Sequence, residues 1–313
     1  MFIAVTVASV GTSVAPHVTR DAFFVTLSEG KTPGAAVYPI KQAEKEPETE
    51  NQEEGKSEGY EIVPVNISHA DGSGSILYKN ETKYTFDSSE VLSEEYPIEK
   101  ASGNSPEVLI IHTHATECYA EENADTVRDT RSEDPTKNML AVGKTLCERL
   151  KENGVNAIQC RTMHDKDSYN KAYELSAQSV CEYLEEYPDI KYIIDVHRDA
   201  IETAGGAMAK PITGDERGSL AQIMLVVGTN EAGADHPDWK KNLNVVTKLQ
   251  KKLIEYNEEL ARPINIRSAS FNQQYCTGFF LLEIGSCANT LSEAKSSAEV
   301  FADIFAKQIK DGK

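Results

Sequence analysis

Several large classes of protein are excluded by what this sequence lacks. Its six cysteines include no C-x-x-C pair, so a finger-type thiolate zinc site does not fit the spacing. The cysteines read instead as small buried hydrophobes, with Cys147 and Cys181 in helical patterns and Cys160 ending a strand-like run. Positive charge is short, with 32 Lys and Arg against 50 Asp and Glu and a formal net charge of −18. Nucleic acid needs clustered basic residues, so it is not an expected partner. Anionic membrane would not hold the chain by charge alone. No apolar run reaches the roughly 20 residues of a membrane span. Residues 1–16 are apolar but carry no basic start, so they are not a complete secretion signal. Followed by a polar stretch, they read as a clipped membrane-anchor remnant. There is no internal repeat.

The 313 residues, 40% of them apolar, suffice for one large domain or two small ones. Residues 17–59 read as a flexible acidic linker, because 41–59 hold too little apolar surface to offset chain entropy. Residues 60–104 hold short β-like pieces, 60–67, 75–78 and 84–86, and form either a stalk or a small β appendage. Asn66-Ile-Ser68 and Asn80-Glu-Thr82 match the glycosylation sequon, with nothing else pointing to a secretory pathway that would use it. Residues 105–313 form the main domain. Strands are expected at 108–112, 155–160, 190–197, 221–227, 264–267 and 277–283. Helices are expected at about 134–153, 168–187, 238–260 and 289–309. This alternation predicts an α/β fold, a mainly parallel six-stranded sheet with helices on both faces.

Three of these strands finish in residues of metal-site type: His112 and His114, then His197, then Glu283. Ligands of parallel α/β sheets gather at the carboxyl ends of strands, so three distant segments are expected to meet. His114-Ala-Thr-Glu117 is an H-x-x-E pair, and His197 completes a His/Glu/His set. Three protein ligands and one open position are the catalytic zinc arrangement. Glu283 is then the expected general base on water and proton donor to a leaving nitrogen. His112 shares a face with His114 on an extended strand, which makes it an alternative ligand or a support for substrate. Asp195 shares a face with His197 and is expected to support it. Arg198 is expected either to bind a substrate anion or to sit in an ordinary salt bridge.

Read in order, VLIIHTHATECY, YIIDVHRDA, FNQQY and LLEIGSCANTLSEAKSSAEVFADIFA resemble the SpoIIP family, the stage II sporulation proteins of endospore-forming Firmicutes, across about 106–313. The segment Glu283 to Glu293 is also similar to the closing motif of zinc N-acetylmuramoyl-L-alanine amidases. The H-x-x-E pair is similar to that of zinc carboxypeptidases. In the common amidases the ligand Glu stands further on, where this chain has Ser132-Glu133-Asp134. Glu133 is therefore a rival to Glu117, which is preferred because the SpoIIP pattern places a Glu after its His-Thr-His. The resemblance implies a zinc (Zn2+) enzyme that cuts the N-acetylmuramoyl-L-alanine amide of peptidoglycan and stem-peptide crosslinks during forespore engulfment. It implies an extracytoplasmic place on a membrane anchor, between mother cell and forespore, and SpoIID and SpoIIM as partners. Asn272 and Gln273 match the family's Asn-Gln segment and are expected beside the substrate. The readings left open are a zinc carboxypeptidase-like peptidase and a catalytically dead wall-binding module.

Overall fold

The structure is a computed structural model that describes residues 40–42, 59–95 and 105–311. The anchor remnant, most of the linker and the stretch 96–104 lie outside the described residues. In chain order the strands begin with β1 (Ile40–Gln42), β2 (Tyr60–Val65) and β3 (Tyr78–Asn80), followed by helix α1 (Ser88–Ser93). Next come β4 (Val108–Ile111), β5 (Thr126–Val127), α2 (Met139–Glu152), β6 (Ala157–Gln159) and α3 (Ala172–Glu186). Then follow β7 (Tyr192–Asp199), β8 (Ile201–Thr203), β9 (Met208–Asp215), β10 (Gly218–Ala221) and β11 (Ile223–Gly228). The chain closes with α4 (Trp239–Tyr256), β12 (Ile264–Arg267), β13 (Phe279–Ser286) and α5 (Leu291–Asp311).

The main sheet has seven strands in the order β3-β12-β11-β13-β7-β4-β6. All six expected strands are in it, and the seventh is β3, from the segment read as a stalk or appendage. The sheet is mixed, because β11 runs antiparallel to β13 while the other neighbours are parallel. Hydrophobic periodicity carries no information on strand direction, which is why the sequence pattern missed the reversal. Helices α2, α4 and α5 cover one face, where Phe280, Phe301 and Phe305 pack with Leu282, Leu225 and Ile266. On the other face, Val180 and Tyr183 of α3 pack on Leu109, Ile111 and Ile193. Strand β4 is buried along its whole length, so its apolar run needs no alternation.

A second sheet, with β1-β8-β9-β2-β5 in order and β10 on β9, joins residues 201–221 to β1, β2 and β5 from earlier in the chain. Strand β2 falls within the expected β-like piece 60–67, whereas β9 and β10, with their Pro, Lys and Gly, carry no apolar period-two pattern in sequence. Helix α2 starts at Met139, capped by the Asn138 side chain on Leu140 N–H, rather than at Asp134. The Asp134 side chain instead closes a turn on Thr136 N–H. The two sequon asparagines make the same kind of turn, Asn66 with Ser68 and Asn80 with Thr82. Cys118, Cys147, Cys160 and Cys287 are buried, Cys276 is half-buried and Cys181 is exposed. Among the described residues no helix is long and apolar enough to cross a membrane.

Candidate functional site

The site is laid out by strand register. Glu283 on β13 lies beside His197 of β7 and Met224 of β11. The next row holds Asp195, Leu281, Val226 and Asn265 across β7, β13, β11 and β12. Side chains alternate between faces, so the intervening Val196, Leu282 and Leu225 enter the helix-covered core. The functional residues therefore share the opposite face. There a cleft of about 240 Å³ is lined by His114, Glu117, His197, Arg198, Asp199 and Glu283, with Tyr169, Tyr173, Asn265, Arg267 and Phe271 around them.

The backbone leaves strand geometry after Ile111, and 113–116 form a turn before Glu117 bridges to Arg131. The expected alternation of His112 and His114 onto one face therefore fails. His112 is fully buried; its Nδ1 meets Val196 O at 3.1 Å and its Nε2 meets the Gln159 amide at 3.0 Å. It lies so close to α2 that a Cβ on Gly143 would come within 2.2 Å of its ring, which only glycine permits. His114 turns into the cleft, stacked on Tyr169 with ring centroids 4.2 Å apart and edge-on to His197 at 5.4 Å. Thr116, between His114 and Glu117, is fastened by Asp165 through its N–H and its hydroxyl, the latter at 2.6 Å. Glu117 is buried in the cleft wall, whereas Glu133 is outside the cleft and pairs with Lys166 at 2.8 Å.

Glu117 Oε2 lies 3.5 Å from His197 Nδ1 and accepts from Arg198 N–H at 3.3 Å. Asp195 accepts from Thr113 N–H and hydroxyl and sits 2.9 Å from His197 Nε2. The Arg198 guanidinium is buried and donates to Cys118 O and Thr130 O, with Glu117 Oε1 3.7 Å away. Gln273 is wholly buried; its side chain accepts from Gly228 N–H and donates to Val226 O. Asn272 donates to Tyr173 O and Ser176 Oγ. Neither amide is in the cleft lining, but both steady the loop that puts Phe271 there, with left-handed backbone at Phe271 (φ 50) and Asn272 (φ 60).

Burial moves the protons. It lowers His114 to about 4, so this imidazole is neutral. Burial would raise Glu117, but Arg198 and His197 outweigh it and keep the carboxyl ionised, well below the usual range. Burial would lower His197, but the Asp195 and Glu117 carboxylates hold it raised. Glu283 is pushed up to about 8 by burial and then by the Asp199 carboxylate. Its Oε2 is buried without a partner, as is His114 Nδ1.

Two imidazoles and a carboxylate are zinc-type donors, and an orphaned buried imidazole nitrogen is what a ligand histidine leaves without its ion. The donor chemistry at His114, Glu117 and His197 thus fits a divalent metal. Among the described residues, however, no three such groups already stand in ligand geometry. His197 turns one nitrogen to Asp195, and Glu117 leans on Arg198.

The residues that sequence reasoning missed are Asp165, Tyr169, Tyr173, Asp199, Asn265 and Arg267. Only the last three carried a signal: Asp199 continues the alternation of Asp195 and His197, and Asn265 and Arg267 alternate on strand 264–267.

The turn behind Glu283 explains the closing motif. Gly285 has φ +67, and a Cβ there would meet Asn289 Oδ1 at 2.5 Å. That oxygen accepts from Ser286 N–H at 2.9 Å. Thr290 and Glu293 form a reciprocal capping box at the start of α5, and Lys210 pairs with Glu293 at 2.7 Å. The motif therefore fixes the exit of the strand that carries Glu283.

Among solved structures, the chain is similar to the CwlD amidase from Clostridioides difficile in complex with the GerS lipoprotein. Identity is 12% over 66% of this chain and 95% of that one, with a TM-score of 0.38. For the N-acetylmuramoyl-L-alanine amidase AmiC2 of Nostoc punctiforme the figures are 10% over 67% and 98%, with a TM-score of 0.36. A curated relative, Stage II sporulation protein P of Bacillus subtilis (strain 168), is 25% identical over 232 residues, which are 69% of this chain and 54% of the relative. The chain thus spans about half the length of the curated relative it matches. The family described as Stage II sporulation protein P (SpoIIP) matches residues 24–306. With nearly its whole length matched, the chain belongs to the SpoIIP family.

Proposed function

We propose that the protein is a zinc-dependent peptidoglycan hydrolase of sporulation that cuts the N-acetylmuramoyl-L-alanine amide, and stem-peptide crosslinks as well. The carrying observation is that His114, Glu117, His197 and Glu283, from three distant segments of a SpoIIP-family chain, line one cleft. His114, Glu117 and His197 would hold the metal, which when bound supplies a Lewis acid for the substrate carbonyl and a lower pKa for water.

The remaining chemistry belongs to the protein. Glu283 takes a proton from the water that attacks the amide carbon, and returns it to the nitrogen as the C–N bond breaks. Its partnerless Oε2 faces no competing donor. Asp195 sets the ring of His197, and Arg198 holds the Glu117 carboxylate in place. Tyr169 and Tyr173 flank His114 and hold its ring in place. The enzyme would act outside the cytoplasm during engulfment, on an N-terminal anchor and alongside SpoIID and SpoIIM.

Metal content and muropeptide release test this reading. Wild-type protein and Glu133→Ala are expected to hold about one zinc per chain, and Glu117→Ala and His114→Ala to lose it. Zinc retained by Glu117→Ala but lost by Glu133→Ala would overturn the ligand set. Digested peptidoglycan should release free stem peptide. Crosslink cleavage alone would reassign the enzyme as a peptidase.

A further inference from the structure

Asn265 is 1% exposed, and neither its amide nitrogen nor its amide oxygen has a hydrogen-bond partner. It lies in the lining of the same cleft as Glu283. A buried primary amide with both ends unsatisfied is costly, and folds rarely keep one without a use. Its site calls for a group that both accepts and donates, which is the chemistry of a peptide bond.

Position narrows the ligand. Asn265 pairs with Val226, which pairs with Leu281, so β12 lies two strands beyond the one that carries Glu283. At about 4.8 Å per strand, that is roughly 10 Å from the Glu283 column, or about three residues of extended peptide. Met224, Val226, Leu281 and Phe271 form an apolar floor between the two. Two residues on from Asn265, Arg267 lines the same cleft, its Nε 3.0 Å from Glu81. A guanidinium beside an amide reader favours a ligand that carries a carboxylate. Glycan N-acetyl groups offer an amide without charge, whereas peptide stems offer both.

We propose that Asn265, with Arg267, forms a subsite that binds the acidic peptide stem about three residues from the scissile bond. The proposal rests on the hydrolase reading for the identity of the stem. Its test does not require turnover. Calorimetric titration with L-alanyl-γ-D-glutamyl-L-lysyl-D-alanine compares zinc-loaded wild type with Asn265→Leu, a substitution of similar volume. The variant should bind the tetrapeptide about tenfold more weakly, as expected for two lost hydrogen bonds. The dipeptide L-alanyl-γ-D-glutamate, too short to reach β12, should lose much less. Equal weakening for both peptides, unchanged tetrapeptide binding, or binding of N-acetylglucosamine in its place would overturn the subsite. Thermal melting is the second readout. Removing an orphaned amide should leave the midpoint equal or higher, whereas a clear fall would make Asn265 a structural residue and overturn the proposal. A protein that binds the tetrapeptide through Asn265 but cuts nothing would count against the hydrolase reading and support the subsite.

Discussion

Glu283 has a stability consequence separate from its part in catalysis. Its folded pKa is raised from an ordinary 4.5 to about 8 by burial and the Asp199 carboxylate. Between these values the folded protein keeps a proton that the unfolded chain has lost. Its contribution to the stability of the metal-free state therefore falls as pH rises from about 5 to 8. Glu283→Gln imitates the neutral form and escapes that loss. In chelator, its melting midpoint should exceed that of wild type by a margin that grows from pH 5 to pH 8. A constant or reversed margin would show that the carboxyl is ionised in the cleft. The same variant should keep zinc and lose roughly 10²- to 10⁴-fold in turnover, the span of general acid–base catalysis. Residue chemistry of this kind was partly legible in the sequence. Imidazoles and a carboxylate at the ends of buried strands are unusual enough to point at a site. The choice between His112 and His114 was not, because it depends on the chain leaving strand geometry at 112. The face shared by Asn265 and Glu283 was hidden as well, because it depends on which strands become neighbours.

At the scale of elements, the turn from β13 into α5 ties the acid–base residue to the fold. Gly285, Asn289, Thr290 and Glu293 each satisfy a backbone group or permit a close approach there. Asn289→Ala removes the acceptor of Ser286 N–H and the donor to Pro211 O, both buried. That should cost about 2–3 kcal/mol, since it strands buried polar groups. Because Ser286 belongs to β13, the loss should also lower kcat while zinc content stays unchanged, measured by melting, activity and metal analysis. Unaltered kcat in a well-folded Asn289→Ala would show that the turn is structural only. Phe301→Ala on α5 empties a site among Phe280 and Phe305. It should cost about 3–5 kcal/mol, with no specific effect on kcat in the protein that remains folded. Helix existence was legible from apolar spacing, and so was the start of α4, but the start of α2 was not. Asp134 and Asn138 are both good caps, and tertiary contact chose the second.

For the whole molecule, the alternation of strands and helices from residue 106 onward announced the layered sheet. Nothing announced that earlier residues complete it. Strand β3 pairs with β12, and β2 pairs with β9 of the second sheet. The pieces 60–67 and 75–78 read as β-like, but their pairing is non-local, so no local pattern names their partners. Tyr84 stacks on Trp239 at 5.2 Å and its hydroxyl bonds Asn230, while Tyr78 meets Phe86 edge-on at 5.1 Å. Val91 of α1 is buried in the main core. A chain starting at residue 105 therefore loses these contacts and bares the edges of β12 and β9, whereas a chain starting at residue 59 keeps them. Burial of four large side chains at about 1.5 kcal/mol or more each puts the loss at about 6 kcal/mol or more, or roughly 12–24 °C in melting midpoint. Unpaired edges should also make the shorter chain prone to association. Since Arg267 is held by Glu81, the shorter chain should bind the tetrapeptide more weakly even below its melting range. Melting and light scattering of the two truncations decide the matter. Equal midpoints would mean that residues 59–95 only decorate the domain, and a drop confined to the shorter chain would make them part of it.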